Sequence, residues 1–277
     1  MRIASLAIGC TALFLAACGS DNNASGACTT GAPSSGPAFV GEVAFGVAHS
    51  SSSTHYKVDA VLFPNFGQGA LNASTNCPGT QMGSCCYVPS GQPCDLPTQA
   101  SAGNITVTKG GQGFGQLTFT DGYYNHLDSS NATSCAGPFS WQAGDTLSVN
   151  ATGAASMAGS FTGSVVAPAD VANVMPALTG TVSIPKSRDF VVTWTPGTGT
   201  AQVNLILEDV IFAGVSCTAP VTNGTVTVPA ALIQKLGSGG TVAFYPVNSA
   251  SAVGSDEAVH LRAYGPSQLA QAAYPAN

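Results

Sequence analysis

The chain has 277 residues, with 7 Lys and Arg against 13 Asp and Glu, for a formal net charge of −6. Charged residues make up 7% of the chain, against about 25% in an ordinary soluble domain. This composition lacks the basic footprint of a nucleic-acid-binding protein, and it favours an exported β protein made soluble by Ser, Thr, Asn, Gln and Gly.

The first 17 residues have the features of a cleaved export signal. Arg2 precedes an uncharged, mostly apolar run from Ile3 to Ala17, which is shorter than the roughly 20 residues of a permanent membrane-spanning helix. The run ends in Leu15-Ala16-Ala17-Cys18, which resembles the bacterial lipobox. The resemblance implies cleavage before Cys18 and a fatty-acylated (palmitate-type) lipoprotein, with Gly19 favouring the outer membrane. The alternative is an ordinary secretory signal that leaves Cys18 as a free or paired thiol.

The segment from Cys18 to residue 37 is small, polar and rich in Gly, Ser and Pro, which predicts a flexible tether. If the signal is removed with Arg2, the mature chain has 6 basic and 13 acidic residues, a net charge of −7. We therefore expect a mobile, acidic folded part held close to a membrane, with the lipid as its attachment.

Seven further cysteines are candidates for disulfide bonds, because an exported chain meets an oxidising compartment. They are Cys28, Cys77, Cys85, Cys86, Cys94, Cys135 and Cys217. Four of them crowd between Cys77 and Cys94, a loop-rich stretch that we expect to be stapled, with the connectivity left open. Zinc is the competing account, but the sequence has no C-x-x-C pair and no histidine in that stretch.

From residue 38 onward, short runs alternate apolar and polar residues and are separated by turn residues such as Gly110-Gly111 and Asn223-Gly224. This pattern predicts an all-β fold of antiparallel β-sandwich-like domains. We expect a cysteine-containing β domain over 38–170, an immunoglobulin-like sandwich over 171–265 without the central disulfide, and a C-terminal tail over 266–277. One short helix is predicted from Pro229 to Leu236, where proline suits the first turn and Gly237 stops it.

Several blocks, taken in order, resemble a family of lipoproteins found mainly in myxobacteria and their relatives. After the cysteine loop ending near Cys94, they are Ser101–Val107, Ala143–Leu147, Asp189–Thr195, Val215–Cys217 and Thr227–Leu232. The resemblance implies a β-rich surface lipoprotein and brings no catalytic residues with it. Trp194 followed by Cys217 is also similar to an immunoglobulin-like pattern, and the phase of Trp194 with Phe190 and Val192 predicts that its ring is core.

Metal-binding patterns are weak in this sequence. His49 and His55 flank a serine-rich loop and would face each other across a hairpin, but two exposed loop histidines are the simpler interpretation. Asp121, Asn125 and Asp128 offer oxygens near one another, without the spacing of an EF-hand. The glycines from Gly110 to Gly115 resemble a phosphate loop only superficially, since strand-like residues on both sides favour a β-hairpin. We predict no cofactor.

Aromatic residues supply the remaining candidates for ligand binding. Trp141 lies just before a turn, where it would be exposed, and Tyr123 and Tyr124 point to opposite faces if they lie in a strand. These three rings are candidates for stacking on a sugar, with packing in the core as the alternative.

No nucleophile elbow, zinc-protease motif or paired acid is present. The sequence thus favours a non-enzymatic, lipid-anchored envelope module that contacts a polysaccharide or a protein partner. A carbohydrate-binding module is the alternative, and a hydrolase is less favoured.

Overall fold

The computed structural model describes residues 39–49, 54–64, 79–90, 99–129, 139–154, 158–254 and 257–275. Within them, almost all regular structure is β-strand, which confirms the predicted all-β, sandwich-like fold. The predicted signal peptide and tether lie outside the described residues. No helix among those described is long and apolar enough to cross a membrane.

The strands alternate inward and outward residues, as period-two sequences require. In the first part of the chain they are β1 (Phe39–His49), β2 (Thr54–Pro64), β3 (Thr80–Met82), β4 (Cys85–Val88), β5 (Ile105–Lys109), β6 (Gln112–Leu117), β7 (Phe119–Thr120), β8 (Tyr123–Tyr124), β9 (Leu127–Asp128), β10 (Thr146–Ala151) and β11 (Phe161–Val166). In the second part they are β12 (Thr181–Ser183), β13 (Phe190–Thr193), β14 (Gln202–Asp209), β15 (Gly214–Pro220), β16 (Thr225–Val228), β17 (Gly239–Ser251), β18 (Val253–Gly254), β19 (Glu257–Tyr264) and β20 (Gln268–Ala273).

The predicted short helix is present as α1, Ala230–Ile233, directly after Pro229. Its first amide is satisfied from outside the helix, because the N–H of Ala230 donates to the Asp189 carboxylate at 2.8 Å. The α-helical part is shorter than predicted, because the last turn tightens: the N–H of Leu236 bonds the carbonyl of Ile233, three residues back.

The largest sheet runs in the order β3-β4-β15-β14-β17-β19-β1-β2-β9, with β20 pairing both β17 and β12. A second sheet has the order β18-β11-β10-β5-β6, and two strand pairs, β13 with β16 and β7 with β8, complete the set. The predicted hairpin at Gly110-Gly111 is confirmed, since it joins β5 to β6 in an antiparallel pair.

Two hydrophobic cores lie along this framework, and strand β17 contributes to both. Val242 and Phe244 belong to a core built mainly from β13 to β17, α1 and β20. Further along the same strand, Ala250 packs against the other core, built from β1, β2, β5, β6, β10, β11 and β19. The first core also takes Cys85 from β4, and the second takes β19, so each core has strands from both sides of residue 170. The domain bounds expected from sequence stay a prediction.

The C-terminal tail expected over 266–277 is instead partly built into the sheet. Its strand β20 pairs with β17, and Ala270, Ala272 and Tyr274 are buried in the adjoining core. The single Tyr274 hydroxyl proton is shared between the backbone carbonyls of Thr241 at 3.1 Å and Glu208 at 3.3 Å. Small alanine side chains give a weak hydrophobic alternation, which explains why the strand was not predicted.

Candidate functional site

Trp141, expected to be exposed, is 4% exposed, so that expectation is wrong. Its ring packs edge-on against Tyr56, with 4.7 Å between centroids, and lies 6.1–6.2 Å from the rings of Phe45, Phe114 and Phe139. The local turn pattern indicated exposure, whereas strands β1, β2 and β6 bring aromatic rings from distant sequence onto it. Its indole is therefore a packing element and offers no open face for stacking on a sugar.

Tyr123 and Tyr124 point to opposite sides of β8, as predicted: Tyr123 is 56% exposed and Tyr124 is buried. The Tyr124 hydroxyl accepts a hydrogen bond from the Ala102 amide at 2.6 Å and donates to the Gly103 carbonyl at 3.0 Å. Burial raises the pKa of this hydroxyl. Tyr124 thus ties two chain segments together, and of the three aromatic candidates Tyr123 is the one whose ring reaches solvent.

A pocket of about 250 Å³ opens beside the buried tryptophan. Apolar residues and carboxylate or amide residues share its lining, which comprises Val47, Tyr56, Trp141, Gln142, Ala143, Pro168, Asp170, Tyr264, Gly265 and Pro266. Gln142 and Asp170 are exposed at its mouth. An apolar wall with a few polar groups is the usual character of a small-ligand site.

A charge cluster around the buried Glu42 adjoins this pocket through Tyr264. Glu42 is 6% exposed, and its Oε2 lies 3.3 Å from the Nε of Arg262. The Tyr264 hydroxyl donates to its Oε1 at 3.1 Å, and the Tyr245 ring packs edge-on against Tyr264 at 5.5 Å. The two strands that carry the ion pair are parallel neighbours, β1 and β19, so the pair links them through side chains as well as through the backbone.

Burial dominates the electrostatics of this cluster. It raises the pKa of Glu42, although the Arg262 charge and the Tyr264 hydrogen bond pull that pKa down. Burial also raises the pKa of Tyr245 to about 12, and that of Tyr264 well above its ordinary value. Burial thus opposes the charged form of Glu42, while the contacts with Arg262 and Tyr264 hold its side chain in place between β1 and β19.

His49 and His55 do not form the cross-strand pair that their spacing suggested. The register of β1 and β2 pairs His49 with Thr54 and His55 with Ala48, one position out of step. In the described part of the chain, no group of three His, Cys, Asp or Glu lies close enough to hold a metal ion.

The second proposed ligand group, Asp121, Asn125 and Asp128, is partly committed to the backbone. The Asn125 side-chain oxygen accepts the Thr118 amide at 2.5 Å. Asp121 lies in the turn before β8 and Asp128 in β9, which pairs with β2 at Lys57. These contacts give the segment a structural role as turn and strand.

Cys85 and Cys217 form a disulfide between register partners on the adjacent strands β4 and β15. Both are buried, and 132 residues separate them in sequence. Cys86 is also in a disulfide bond. The other candidates, Cys28, Cys77, Cys94 and Cys135, lie outside the described residues. Disulfide chemistry, not zinc, thus accounts for Cys85, and this bridge joins the cysteine-rich stretch to the second part of the chain.

The sequence patterns did not single out the buried acids Glu42 and Asp209, or the half-buried Arg262 that pairs with Glu42. A signal was present for Glu42, because in a chain with 7% charged residues a lone charge inside the apolar run of β1 is conspicuous. The pairing was not readable, since Glu42 and Arg262 lie 220 positions apart and meet only when β1 joins β19.

No protein-family model matches the chain, and no curated protein is significantly similar to it. Among solved structures, it is similar to a tetra-tandem repeat from the extending region of a large adhesion protein. The identity is 15% over 86% of this chain and 50% of that one, with a TM-score of 0.22. It is also similar to a structure from a 1.5-MDa bacterial ice-binding adhesin, at 14% identity over 85% of this chain and 66% of that one, with a TM-score of 0.19. Similarities this distant carry no argument about the activity or partners of this chain.

Proposed function

We propose that this chain is a non-enzymatic β-sandwich module of the cell envelope, anchored in the outer membrane by lipid on Cys18. The observation that carries the proposal is the buried Cys85–Cys217 disulfide in an all-β fold. Disulfides form and persist in oxidising compartments, so this bond favours export of the chain. Lipid anchoring is supported by the lipobox-like ending at Cys18 and by the resemblance to a surface lipoprotein family.

The module is proposed to bind or to serve as structure rather than to catalyse, because the buried acids of the described residues are committed to the fold. Glu42 is paired with Arg262 and Tyr264. The carboxylate of Asp209 accepts three backbone N–H groups, from Ile211, Ala213 and Gly237. Carboxylates satisfied in this way stabilise turns and strand pairs, whereas catalytic pairs need access to a substrate.

The anchor is tested by comparing Cys18→Ala with Cys10→Ala in the full chain. A fatty-acid label should enter the wild type and Cys10→Ala, and both should partition into the detergent phase. Cys18→Ala should take up no label and remain in the aqueous phase, since acyl chains are the proposed attachment. Cys10 is the matched control, because it lies within the signal that is removed. Label in Cys18→Ala, or an aqueous wild type, would end the anchor proposal.

A carbohydrate-binding module is the second candidate, favoured by the 250 Å³ pocket beside Trp141. Exposed Gln142 and Asp170 at its mouth are suited to hydroxyl groups of an envelope polysaccharide. Removing both, in Gln142→Ala/Asp170→Ala, should weaken polysaccharide binding measured by calorimetry, whereas Tyr123→Ala, away from the pocket lining, should not. Equal binding by the wild type, the double variant and Tyr123→Ala would exclude this pocket as the site.

A further inference from the structure

The turn between β14 and β15 presents three consecutive large apolar side chains to solvent. Val210, Ile211 and Phe212 are 70%, 60% and 61% exposed. Consecutive exposed apolar residues are unusual on a protein surface unless they serve a contact. We call residues 210–212 the apolar tip.

The apolar tip is held in one conformation by the residue before it. Asp209 is 3% exposed, and its Oδ1 accepts the N–H groups of Ile211 at 2.9 Å and Ala213 at 3.0 Å. Its Oδ2 accepts the N–H of Gly237 at 2.8 Å, which ties the turn to the segment after α1. The three apolar side chains are therefore displayed on an ordered support.

Phe212 occupies a backbone conformation that its side chain disfavours, with φ at 65°. The other non-glycine residues with positive φ are, within the described ranges, Asp121 and Asn173, whose short polar side chains tolerate that region. Since the Phe212 ring is mostly exposed, packing in the core does not offset the strain. A strained backbone that displays a solvent-exposed ring points to a contact made outside the fold.

The apolar tip and the start of β1 lie at opposite ends of the long sheet. Asp209 pairs with Gly240 at the start of β17. At the other end, Ser251 pairs with His260, and Phe39 pairs with Glu257 three residues further out. At about 3.3 Å per residue, Asp209 and Phe39 are separated by roughly 45 Å along the strand direction. The apolar tip and the start of β1 are therefore at opposite ends of the sheet, and the flexible tether predicted from sequence before Phe39 lets the apolar tip point away from the anchoring membrane.

The size of the apolar tip favours a lipid bilayer over a protein surface. Its three side chains expose about 100 Å² each, roughly 300 Å² together. A stable contact with a second copy or another protein needs about 800 Å² on each side. A bilayer needs no complementary surface, and short apolar segments that carry an aromatic residue bury themselves at the boundary between headgroups and acyl chains.

We infer that the apolar tip inserts into a lipid bilayer that faces the anchoring membrane, so that the module bridges two lipid surfaces. The bridging geometry rests on the anchored module proposed above. Because insertion is driven by apolar burial and the chain is acidic, neither anionic lipid nor low salt is required.

The test uses the lipidated full chain reconstituted in biotin-labelled phosphatidylcholine vesicles, mixed with fluorescent, protein-free phosphatidylcholine vesicles. Streptavidin capture should retain the fluorescent vesicles with the wild type. The variant Val210→Ser/Ile211→Ser/Phe212→Ser should lower their retention roughly 100-fold, to the level without protein. The matched control, Val166→Ser/Val191→Ser/Val253→Ser, replaces three exposed valines elsewhere and should leave retention unchanged. Circular dichroism checks that both variants fold.

Equal retention by the wild type and the tip variant would overturn the inference, as would loss of retention in 1 M salt, since that would identify electrostatic contact. Insertion confined to the vesicle that carries the anchor, without capture of the second population, would also overturn it. Failure of the lipid anchor is distinguishable from failure of the tip, because an unanchored protein does not co-purify with the biotin-labelled vesicles. In that case flotation of the unanchored chain with phosphatidylcholine vesicles tests the tip directly.

Discussion

Cys85 and Cys217 are directly opposed on neighbouring antiparallel strands, with 4.0 Å between their Cα atoms, although 132 residues separate them in sequence. The bond closes a long loop across the fold, from an edge hairpin to a strand that packs in the core. In chain-entropy terms, closing a loop of this length stabilises the folded state by about 4–5 kcal/mol.

Replacing both residues, in Cys85→Ala/Cys217→Ala, should therefore lower the free energy of unfolding by about 3–5 kcal/mol. Urea unfolding under oxidising conditions measures the change. The single variants should be no more stable than the double one, because each leaves an unpaired thiol. A double variant with the midpoint and slope of the wild type would show that the bridge does not constrain the unfolded chain.

Asp209 should be among the most sensitive polar positions of the fold. Asp209→Ala removes the acceptor of three backbone N–H groups and should cost about 2–4 kcal/mol in urea unfolding. Asp189→Ala is the comparison: that exposed carboxylate accepts a single N–H at the start of α1, and its loss should cost about 1 kcal/mol. Similar costs for both would mean that the turn holds itself without the Asp209 side chain.

Phe212→Asn should raise the free energy of unfolding by about 1 kcal/mol, because asparagine tolerates the left-handed backbone that phenylalanine resists. Phe212→Ala keeps a Cβ in the same place and should give a much smaller gain. Thermal unfolding of the two variants compares them directly. An asparagine variant less stable than the alanine variant would contradict the strain at this residue.

Truncation should destabilise the fold at Trp141 and leave its stability nearly unchanged at Tyr123. Trp141→Ala removes a buried ring from an aromatic cluster and should destabilise the fold by about 3–5 kcal/mol. Tyr123→Ala truncates an exposed ring and should change stability by no more than about 0.5 kcal/mol. Denaturant titrations measure the unfolding free energy of both variants. A Trp141→Ala variant as stable as the wild type would contradict the place of this ring in the core.

Stability should depend on pH through Glu42 in the sense opposite to ordinary acid denaturation. Burial raises the pKa of this carboxyl in the folded chain above the ordinary value of 4.5, so the folded chain takes up the proton first. Protonation of Glu42 therefore stabilises the fold as the pH falls, fully below 4.5, and that contribution is lost as the pH rises through the raised pKa.

The measurement is the difference in unfolding free energy between the wild type and Glu42→Gln at pH 7 and near pH 4.5. The unfolding free energy of the wild type relative to that of Glu42→Gln should increase at the lower pH, since glutamine takes up no proton. The contributions of other carboxyls are shared by the two proteins and cancel. A difference that is constant, or that moves in favour of glutamine on acidification, would contradict the raised pKa.

Local patterns determined much of this protein from sequence. The phase of Phe190, Val192 and Trp194 predicted a buried face, and all three are buried. Glycines predicted the β5–β6 hairpin, and Pro229 predicted the start of α1, because backbone conformation at turns and helix starts depends on the residues present there.

Only the tertiary structure decided which strands meet. The pairing of β1 with β19 joins Glu42 to Arg262, that of β4 with β15 joins Cys85 to Cys217, and aromatic rings from β1, β2 and β6 enclose Trp141. The alternation of apolar and polar residues predicts which side of a strand is buried, but it does not predict which strand lies beside it in a sheet. Contacts between residues more than a hundred positions apart follow from strand order, and strand order is set by packing of the whole chain.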